Sequence, residues 1–456
     1  MVKIAVVGGG ASGLMAAVTA GNFGDTEVTV FEQKSRVGKK ILATGNGRCN
    51  LTNTNASPEH YYGRNKEFIR SVLTLCAPPK TLALFSEIGL LCKEEHGGRV
   101  FPYSQQASTV VDVFRNRLAG LAINVENGVK IKDVIPEANG FRLEGVRHFE
   151  GVKPAEENGY FEKKTHAEEK NYQEDEDKVY FCDRLILACG GMAGPVFGSD
   201  GSGFSLLEKL GHSIIKPVPA LVQLKTDTDF CKGLTGIKVE CGIKAFVRGE
   251  ERVRDEDPDR VKVTGQTKEV DRAAGEVLFT AYGLSGSGIL DISRVLYQNE
   301  KITLSLDFMP DHTPEKVEEM LFERQKTLSG LTLEQYLVGL INKKVGYALL
   351  KRSGIERLSR GIYGLKPVEI RAIARTVKNL EIAVTGHNGW ANAQVTAGGA
   401  DTGEFDYQTM ASRKIPGLYC AGEIFDVFGD CGGYNLQWAW SSGYLAGLSA
   451  AGGKGC

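Results

Sequence analysis

Three glycines near the start of the chain have the spacing that dinucleotide-binding proteins use. Gly8, Gly10 and Gly13 form the pattern GxGxxG between the apolar run VKIAVV and the helical stretch LMAAVTAG. Such glycines allow a tight turn, close approach of the backbone to a pyrophosphate, and close packing of the helix. Glu32 closes the next strand-like run, EVTVFE, where a carboxylate can bind an adenosine ribose hydroxyl. Glycines alone would fit an ordinary turn, but in this setting they predict a dinucleotide site.

A second polar loop, ATGNGRCNLTN at residues 43–53, follows Lys39 and Lys40. Its glycine, asparagine and arginine residues suit the wrapping of a flat ring with polar edges. The same residue types also form surface turns, so the loop does not by itself separate FAD from NAD.

The stretch CGGYNLQWAW at residues 431–440 favours FAD. Gly432 and Gly433 precede an aromatic helix, and GLYCAGE ends a strand-like run with Gly422 and Glu423. A helix N-terminus offers unpaired N–H groups and partial positive charge. We predict that it faces the pyrimidine edge of a flavin and stabilises the negative charge of the reduced ring. The aromatic and small residues that follow are predicted to pack the helix into the protein.

Alternating apolar and helical stretches must position these motifs. A βαβ unit opens the chain, helical patterns follow at 66–92 and 107–121, and a strand-like run covers 123–131. This alternation predicts a parallel sheet covered by helices. Charged residues are concentrated at 151–178 and at 248–260, and we interpret both segments as solvent-facing insertions. From 213 to 309 the sequence predicts a mostly β section, which contains the second insertion. Residues 311–379 predict a helical unit, with Thr313 as N-cap and Pro314 at the first helical position.

The composition argues against several classes of function. The 456 residues carry a formal net charge of −1, which does not call for a nucleic acid or an anionic membrane as partner. Ten scattered cysteines form no CxxC pair and no cysteine–histidine cluster, so we expect reduced thiols and no metal. The chain has no apolar run of eighteen residues and no signal-peptide pattern at its start, which predicts a cytoplasmic protein.

Five stretches together resemble the BaiN-like flavoproteins, also described as YhiN-like or aminoacetone-oxidase-like: VVGGGASGLMAA, VGKKILATGNGRCNLTN, LILACGGMAGP, GEVLFTAYGLSGSG and GLYCAGEIFDVFGDCGGYNLQWAWSSGYLAG. The resemblance covers the chain apart from the two charged insertions. It implies an α/β fold with a Rossmann-like FAD-binding domain (1–194 and 389–456), an inserted β-rich, barrel-like domain (195–310 and 380–388), and a small helical domain (311–379).

The resemblance also implies tight, non-covalent binding of FAD along both ends of the chain. The implied cofactor-binding residues are Gly8, Gly10, Ala11, Ser12, Gly13, Glu32, Gln33, Lys34, Lys39, Lys40, Thr44, Gly45, Gly47, Arg48, Cys49, Asn50, Val129, Ala188, Cys189, Gly190, Gly191, Gly422, Glu423, Gly433, Tyr434, Asn435, Leu436 and Gln437. The chain departs from the family pattern at Ala281 and Ser287, where relatives often have histidine and proline.

The activity that the resemblance implies is reduction of an activated carbon–carbon double bond, such as the enone of a steroid-like or bile-acid-like small molecule. NAD(P)H is expected to bind transiently, because the sequence has no second convincing strand–GxGxxG–helix unit. Hydride would pass through flavin N5, and Tyr282 and Tyr434 are the candidate proton donors. No CxxxxC disulfide accompanies the first helix, which argues against a disulfide reductase.

Two alternatives remain open. The first is an amine oxidase of the aminoacetone type, which passes electrons to oxygen. The second is a flavin-dependent RNA-modifying or redox-sensing protein. The near-neutral charge argues against RNA binding, and Cys49 is interpreted as a small residue in contact with the cofactor in preference to a reactive thiol.

Overall fold

Two hydrophobic cores organise the chain in the computed structural model, which describes residues 1–148, 175–248, 267–299 and 301–453. Unit 1 comprises Met1–Pro217 and Val395–Cys456, and unit 2 comprises Val218–Gln394. Unit 1 therefore takes its residues from both ends of the chain, where the sequence motifs lie.

The elements up to residue 220 are β1 (Val2–Val7), α1 (Ala11–Gly21), β2 (Thr26–Glu32), α2 (Lys39–Ala43), β3 (Thr52–Asn53), β4 (Tyr61–Tyr62), α3 (Lys66–Leu75), α4 (Pro78–Glu87), β5 (Cys92–Glu94), β6 (Arg99–Pro102), α5 (Ala107–Gly120), β7 (Asn124–Asn127), β8 (Val129–Glu137), β9 (Gly140–Arg147), β10 (Glu176–Cys182), β11 (Arg184–Leu187), α6 (Ser202–Lys209) and β12 (Ile214–Ala220).

Unit 2 continues with β13 (Leu224–Thr226), β14 (Lys238–Arg248), β15 (Thr267–Thr280), β16 (Gly283–Ser285), α7 (Ser287–Ile292), β17 (Ile302–Asp307), α8 (Pro314–Thr327), α9 (Lys343–Arg352), α10 (Pro367–Lys378) and β18 (Leu380–His387). The chain then returns to unit 1 with β19 (Val395–Ala400), β20 (Leu418–Cys420), β21 (Phe428–Gly429) and α11 (Tyr434–Ala450).

A five-stranded parallel sheet forms the centre of unit 1, in the order β20-β11-β1-β2-β7. Val6 of β1 pairs with Ile186 on one side and Val30 on the other, and all three side chains are fully buried. Strands covered on both faces have continuous apolar runs, as β1 does in its buried part, IAVV. The predicted α/β fold with a Rossmann-like sheet is confirmed.

Helices α1 and α11 come into direct backbone contact beside this sheet. A β-carbon placed on Gly443 would lie 2.4 Å from the carbonyl oxygen of Ser12, and one on Gly447 would lie 2.3 Å from that of Ala16. Trp438 and Trp440 are buried, and the Trp440 indole donates a 2.8 Å hydrogen bond to the Leu51 carbonyl. The aromatic residues of α11 are therefore core residues, as the sequence predicted.

The helical pattern at 66–92 is interrupted in the structure. Helix α3 ends at Leu75, and α4 begins at Pro78, because proline has no backbone N–H and is tolerated only in the first turn. Among the described residues, no single helix is long and apolar enough to cross a bilayer. Helices α3 and α4 reach the necessary length and apolar composition only when they are taken together, and a bend of 44° separates them.

Unit 2 joins a closed barrel to a group of helices. The barrel has the strand order β13-β16-β15-β14-β17-β18. Inward-facing barrel residues such as Ile243 and Phe279 share one hydrophobic core with Leu321 of α8 and Ile370 of α10. The sequence separates residues 311–379 from the β-rich part, whereas the structure packs the two together.

The predicted start of α8 is confirmed, because the Thr313 hydroxyl accepts a hydrogen bond of 3.2 Å from the Lys316 N–H. Strands β9 and β10, which flank the first charged insertion, pair antiparallel. Most of that predicted insertion, residues 151–174, lies outside the described residues, as does 249–260 of the second.

Candidate FAD site

The turn between β1 and α1 has the packing that the glycine pattern predicted. A β-carbon on Gly8 would lie 2.3 Å from the carbonyl oxygen of Ala188, and one on Gly13 would lie 1.8 Å from that of Gly8. A β-carbon on Gly10 would meet no atom within 4 Å. Gly10 therefore borders open space at the start of α1, where the N–H groups of the first turn, from Ala11 onward, can bind a phosphate.

Glu32 ends β2 beside this turn, and its carboxylate is buried. One oxygen accepts a hydrogen bond of 2.9 Å from the Gly9 N–H, and the other accepts one of 2.8 Å from the Lys34 N–H. Burial raises the pKa of Glu32, while the two backbone hydrogen bonds act in the opposite direction. The neighbouring Gln33 amide donates to the Gly198 carbonyl, which fixes the chain after β2.

The loop after Glu32 is tied to the C-terminal part of unit 1. The Lys40 ammonium pairs with Glu423 at 2.7 Å, and the other Glu423 oxygen accepts a hydrogen bond of 2.9 Å from the Thr396 N–H. Lys39 instead donates to the hydroxyl of Ser35, three residues after Glu32, at 3.0 Å. The two lysines of one motif thus have different neighbours.

The GNGRCN loop divides into an outer and an inner part. Arg48 lies over the Phe101 ring at 4.0 Å and pairs with Glu95 at 2.6 Å, so its charge is already engaged by protein groups. Cys49 is fully buried, and burial raises the pKa of its thiol to about 12. Such a thiol is not ionised at neutral pH, which favours the small contact residue over the reactive thiol.

Asn50 is a half-buried residue whose side-chain oxygen has an unusual environment. Its Oδ1 atom is buried and has no hydrogen-bond partner among the described residues. A β-carbon on Gly433 would lie 2.9 Å from this oxygen, so Asn50 is next to the start of α11. A buried acceptor without a donor is costly in a folded protein, and a ligand N–H would satisfy it.

Gly433 has φ +102°, a conformation that glycine adopts without strain, and it caps α11. A β-carbon there would also lie 2.5 Å from the carbonyl oxygen of Thr52. The structure therefore brings the GNGRCN loop and the GGYNLQ motif together, as one flavin site requires. Tyr434 follows as the first residue of α11, and Leu436 packs at the edge of the core.

The side chains of Asn435 and Gln437 are engaged by protein groups. Asn435 exchanges two hydrogen bonds of 2.8 Å with the backbone of Gly429. The Gln437 amide is fully buried and bonds to Thr52, Thr81 and Ser441. These contacts hold the loop before α11 and the helix itself, and the direct roles of both residues toward a cofactor stay predictions.

The remaining predicted residues also lie in unit 1. A β-carbon on Gly422 would lie 2.3 Å from the Ser12 hydroxyl, and one on Gly191 would lie 3.1 Å from a Glu423 oxygen. Cys189 is half-buried, and desolvation raises the pKa of its thiol to about 12. The connecting turns and strands also contain Thr44, Gly45, Gly47, Val129, Ala188 and Gly190.

Tyr282 lies in unit 2, in the turn between β15 and β16, and its side chain is 36 % exposed. Ala281, one of the two departures from the family pattern, is in the same turn, and Ser287 begins α7. Tyr434 lies in unit 1, where its ring stacks on His60 at 4.5 Å between centroids. The structure thus assigns the two candidate tyrosines to different units.

Sequence reasoning missed a polar group that precedes α11. His60 pairs with Asp430 at 3.1 Å, and the Asn53 amide donates a 3.1 Å hydrogen bond to the Gly432 carbonyl. Asp430 stands only two residues before the glycines, which was the available signal, but nothing near His60 in sequence connects it with residue 430. Among residues 1–148, 175–248, 267–299 and 301–453, no group of three or more His, Cys, Asp or Glu side chains is arranged to hold a metal ion.

These residues fit FAD. The open space at Gly10 and the N-terminus of α1 suit the pyrophosphate, the Glu32 carboxylate suits the adenosine ribose, and the unpartnered Asn50 oxygen with the start of α11 suits the polar edge of the flavin ring. When bound, FAD supplies hydride transfer.

A Rossmann-type sheet with a predicted dinucleotide turn after β1 and a glycine-capped helix, α11, that is predicted to face a flavin is the arrangement expected of a flavoprotein. The family described as HI0933-like protein Rossmann domain matches residues 2–449, and the chain belongs to this family, which includes the BaiN-like flavoproteins. It is thus a flavoprotein oxidoreductase, and the family implies FAD as its cofactor.

Curated relatives extend over nearly the whole chain. A 3-dehydro-bile acid delta(4,6)-reductase from Clostridium scindens is 36% identical over 458 residues, which cover 99% of each chain. The ribosomal RNA dihydrouridine synthase of Haemophilus influenzae is 28% identical and covers 97% of each chain. The protein with the same description from Escherichia coli is 27% identical over 96% of this chain and 95% of its own.

A solved structure supports the fold. The 3-ketosteroid delta1-dehydrogenase from Sterolibacterium denitrificans, in complex with 1,4-androstadiene-3,17-dione, aligns with a TM-score of 0.50 and 13% identity. The alignment covers 100% of both chains. At this identity the likeness concerns the fold.

Proposed function

We propose that this protein uses FAD and NAD(P)H to reduce a carbon–carbon double bond conjugated to a carbonyl group in a small molecule. The observation that supports this most directly is the 36% identity, over 99% of the chain, to a protein described as a 3-dehydro-bile acid delta(4,6)-reductase. In a 3-oxo steroid, double bonds at positions 4 and 6 are conjugated to the ketone.

The other relatives support the same chemistry with another substrate. Formation of dihydrouridine saturates the ring double bond of uracil, which is also conjugated to a carbonyl group. Two classes of substrate therefore share one reaction type, in which hydride adds to the electron-poor carbon and a proton adds to its neighbour. FAD would carry the hydride from NAD(P)H, through N5, to the substrate.

The residues of unit 1 support this role through charge and position. The N-terminus of α11 carries partial positive charge, which would stabilise the negative charge of a reduced ring beside it. Asn50 would orient the ring by accepting a hydrogen bond at its Oδ1 atom. Ser12, Gly422 and the α1–α11 contact would fix the two halves of the site against each other.

The test is an anaerobic titration of the purified flavoprotein with NADH and then NADPH, followed by addition of a 3-oxo-Δ4,6 steroid acid. We expect a stoichiometric amount of one nucleotide to bleach the oxidised-flavin absorbance, and the steroid to restore it. A flavin that ignores both nucleotides but is reduced by aminoacetone would replace the proposal with the amine oxidase.

Reduction of uridine in RNA is the second candidate, and the two dihydrouridine synthases favour it. The formal net charge of −1 weighs against it, because RNA binding depends strongly on positive charge near the phosphates. The same reduced protein should be offered a transcript of ribosomal RNA. Flavin reoxidation by the transcript, with loss of a uridine double bond, would select this candidate over the small molecule.

A further inference from the structure

His60 is brought next to the start of α11 by backbone pairing. It ends a short 3₁₀ turn, Pro58–His60, immediately before β4. Strand β4 pairs antiparallel with β21, and the Asp430 N–H then donates a 3.0 Å hydrogen bond to the His60 carbonyl. Asp430 precedes the glycines of the predicted flavin-facing motif, so the His60 side chain lies at the border of the candidate site.

The His60 ring is held on two sides. Its Nδ1 atom lies 3.1 Å from Asp430 Oδ2, and the ring stacks on Tyr434 with centroids 4.5 Å apart and planes 24° apart. The Tyr62 hydroxyl donates a 2.9 Å hydrogen bond to the other oxygen of Asp430. The carboxylate is therefore itself held in place, and it fixes the orientation of the imidazole.

This arrangement leaves one ring nitrogen available for proton exchange. A carboxylate accepts the Nδ1–H proton, so Nε2 is the atom that gains or loses a proton. The His60 side chain is 37 % exposed, which allows both solvent and a substrate to approach it. Charged groups near the pair include Glu59, beside His60 in the chain, and Lys66, near Asp430.

We propose that His60 is the proton donor for the double-bond reduction, and that Asp430 is its positioning residue. The inference rests on the proposed function. The β-carbon of the enone receives hydride, and the α-carbon receives the proton from His60 Nε2, so the double bond becomes a single bond. NAD(P)H is oxidised to NAD(P)⁺, and His60 regains its proton from water.

The alternative is that the His60–Asp430 pair has only a structural role and stabilises the pairing of β4 with β21. Proton donation is needed when substrate reoxidises the flavin, but not when NAD(P)H reduces it. The two half-reactions therefore separate a catalytic residue from a structural one. They are measured by anaerobic stopped-flow absorbance on the FAD-loaded wild type and on His60→Gln, Asp430→Asn and Tyr434→Phe.

We expect His60→Gln to slow flavin reoxidation by the 3-oxo-Δ4,6 steroid acid about 10²- to 10⁴-fold, as for loss of a general acid. Flavin reduction by the nucleotide should stay within about twofold, because it does not use this proton. Asp430→Asn should cause a smaller loss, and the pH dependence of reoxidation should lose an inflection in His60→Gln. His312→Gln, which changes an exposed histidine in unit 2, is the matched control.

Three outcomes would overturn the inference. The first is wild-type reoxidation in His60→Gln, which together with loss in Tyr434→Phe would move the role to the tyrosine. The second is equal slowing of both half-reactions with release of FAD, which indicates a structural role. The third is failure of the wild type itself to be reoxidised by the steroid or by the ribosomal RNA transcript, which overturns the proposed function and this inference together.

Discussion

The Glu32 carboxylate accepts hydrogen bonds from the N–H groups of Gly9 and Lys34. It therefore shapes the turn that is predicted to bind the dinucleotide, in addition to its predicted contact with the ribose. Hydrogen bonds to a charged group contribute about 1.5–3 kcal/mol.

We expect Glu32→Ala to weaken FAD binding by about 10- to 100-fold. Loss of one hydrogen bond between a charged carboxylate and the ribose changes the binding free energy by an amount that corresponds to this factor. The measurement is FAD fluorescence during dilution of the loaded protein. Glu27→Ala, at an exposed position of the same strand, is the control and should retain FAD. Equal FAD affinity in Glu32→Ala and the wild type would remove the ribose assignment.

Gly10 and Gly13 offer a sharper comparison, because they differ in what surrounds them. A β-carbon on Gly10 meets nothing in the protein, so Gly10→Ala should leave the free energy of unfolding of the FAD-free protein within about 0.5 kcal/mol. It should nevertheless weaken FAD binding, because the methyl group enters the space predicted for the pyrophosphate.

Gly13→Ala should affect stability, whereas Gly10→Ala should affect only FAD binding. Its β-carbon would lie 1.8 Å from the Gly8 carbonyl oxygen, so it should destabilise the fold itself. Thermal unfolding without FAD, followed by FAD titration, separates the two effects. If Gly10→Ala retains wild-type FAD affinity, the pyrophosphate does not lie at this turn.

Sequence alone predicted which residues gather at the site better than it predicted what each one contacts. Gly8, Gly13 and Gly433 were predictable, because close approach and unusual backbone angles select glycine. The side chains of Asn435 and Gln437 were not, since an amide offers the same donors and acceptors to a backbone as to a ligand. The His60–Asp430 pair depends on strand pairing between residues far apart in the chain, which no local pattern reports.

At the scale of elements, the contact between α1 and α11 joins the two chain segments of unit 1. Each of these segments carries part of the candidate FAD site. Each β-carbon added at Gly443 or Gly447 would run into a backbone carbonyl of α1, and backbone cannot move aside as a flexible side chain can. Overpacking of this kind costs about 1–3 kcal/mol.

We therefore expect Gly443→Ala to lower the free energy of unfolding by at least about 1 kcal/mol, although alanine favours helix. Gly120→Ala is the control, because a β-carbon at that helical position meets nothing within 4 Å, and it should be neutral or slightly stabilising. The measurement is urea denaturation followed by circular dichroism. Equal stability of the two variants would contradict the contact.

The break between α3 and α4 shows where element prediction reached its limit. The apolar periodicity continues across residues 66–92, but Pro78 and Pro79 require a new helix start. The proline was visible in the sequence, whereas the distribution of the strands into separate small sheets was not. The closed barrel likewise depends on pairing registers that alternating apolar residues only suggest.

At the scale of the whole molecule, the two hydrophobic cores belong to different units. All residues predicted to bind FAD lie in unit 1, so FAD should stabilise that unit selectively. A ligand that binds only the folded state raises its stability in proportion to the logarithm of its free concentration.

Differential scanning calorimetry should therefore show two transitions, of which one moves to higher temperature as FAD is added. Proteolysis during the same titration should show that FAD protects fragments from residues 1–217 and 395–453, which belong to unit 1. A single transition that moves as a whole would show that the two cores unfold together.

The sheet of unit 1 combines β1 and β2 with β20, and α1 packs on α11, although all of unit 2 is encoded between them. During synthesis, α1 emerges from the ribosome long before its partner helix exists, and translation proceeds at about 5–20 residues per second. The part of unit 1 that is made first therefore exposes apolar surface until α11 has been synthesised. The barrel and helices of unit 2 can fold during this time. Capture of the flavin would then follow synthesis of unit 2, because the helix predicted to complete the site, α11, is encoded after all of unit 2.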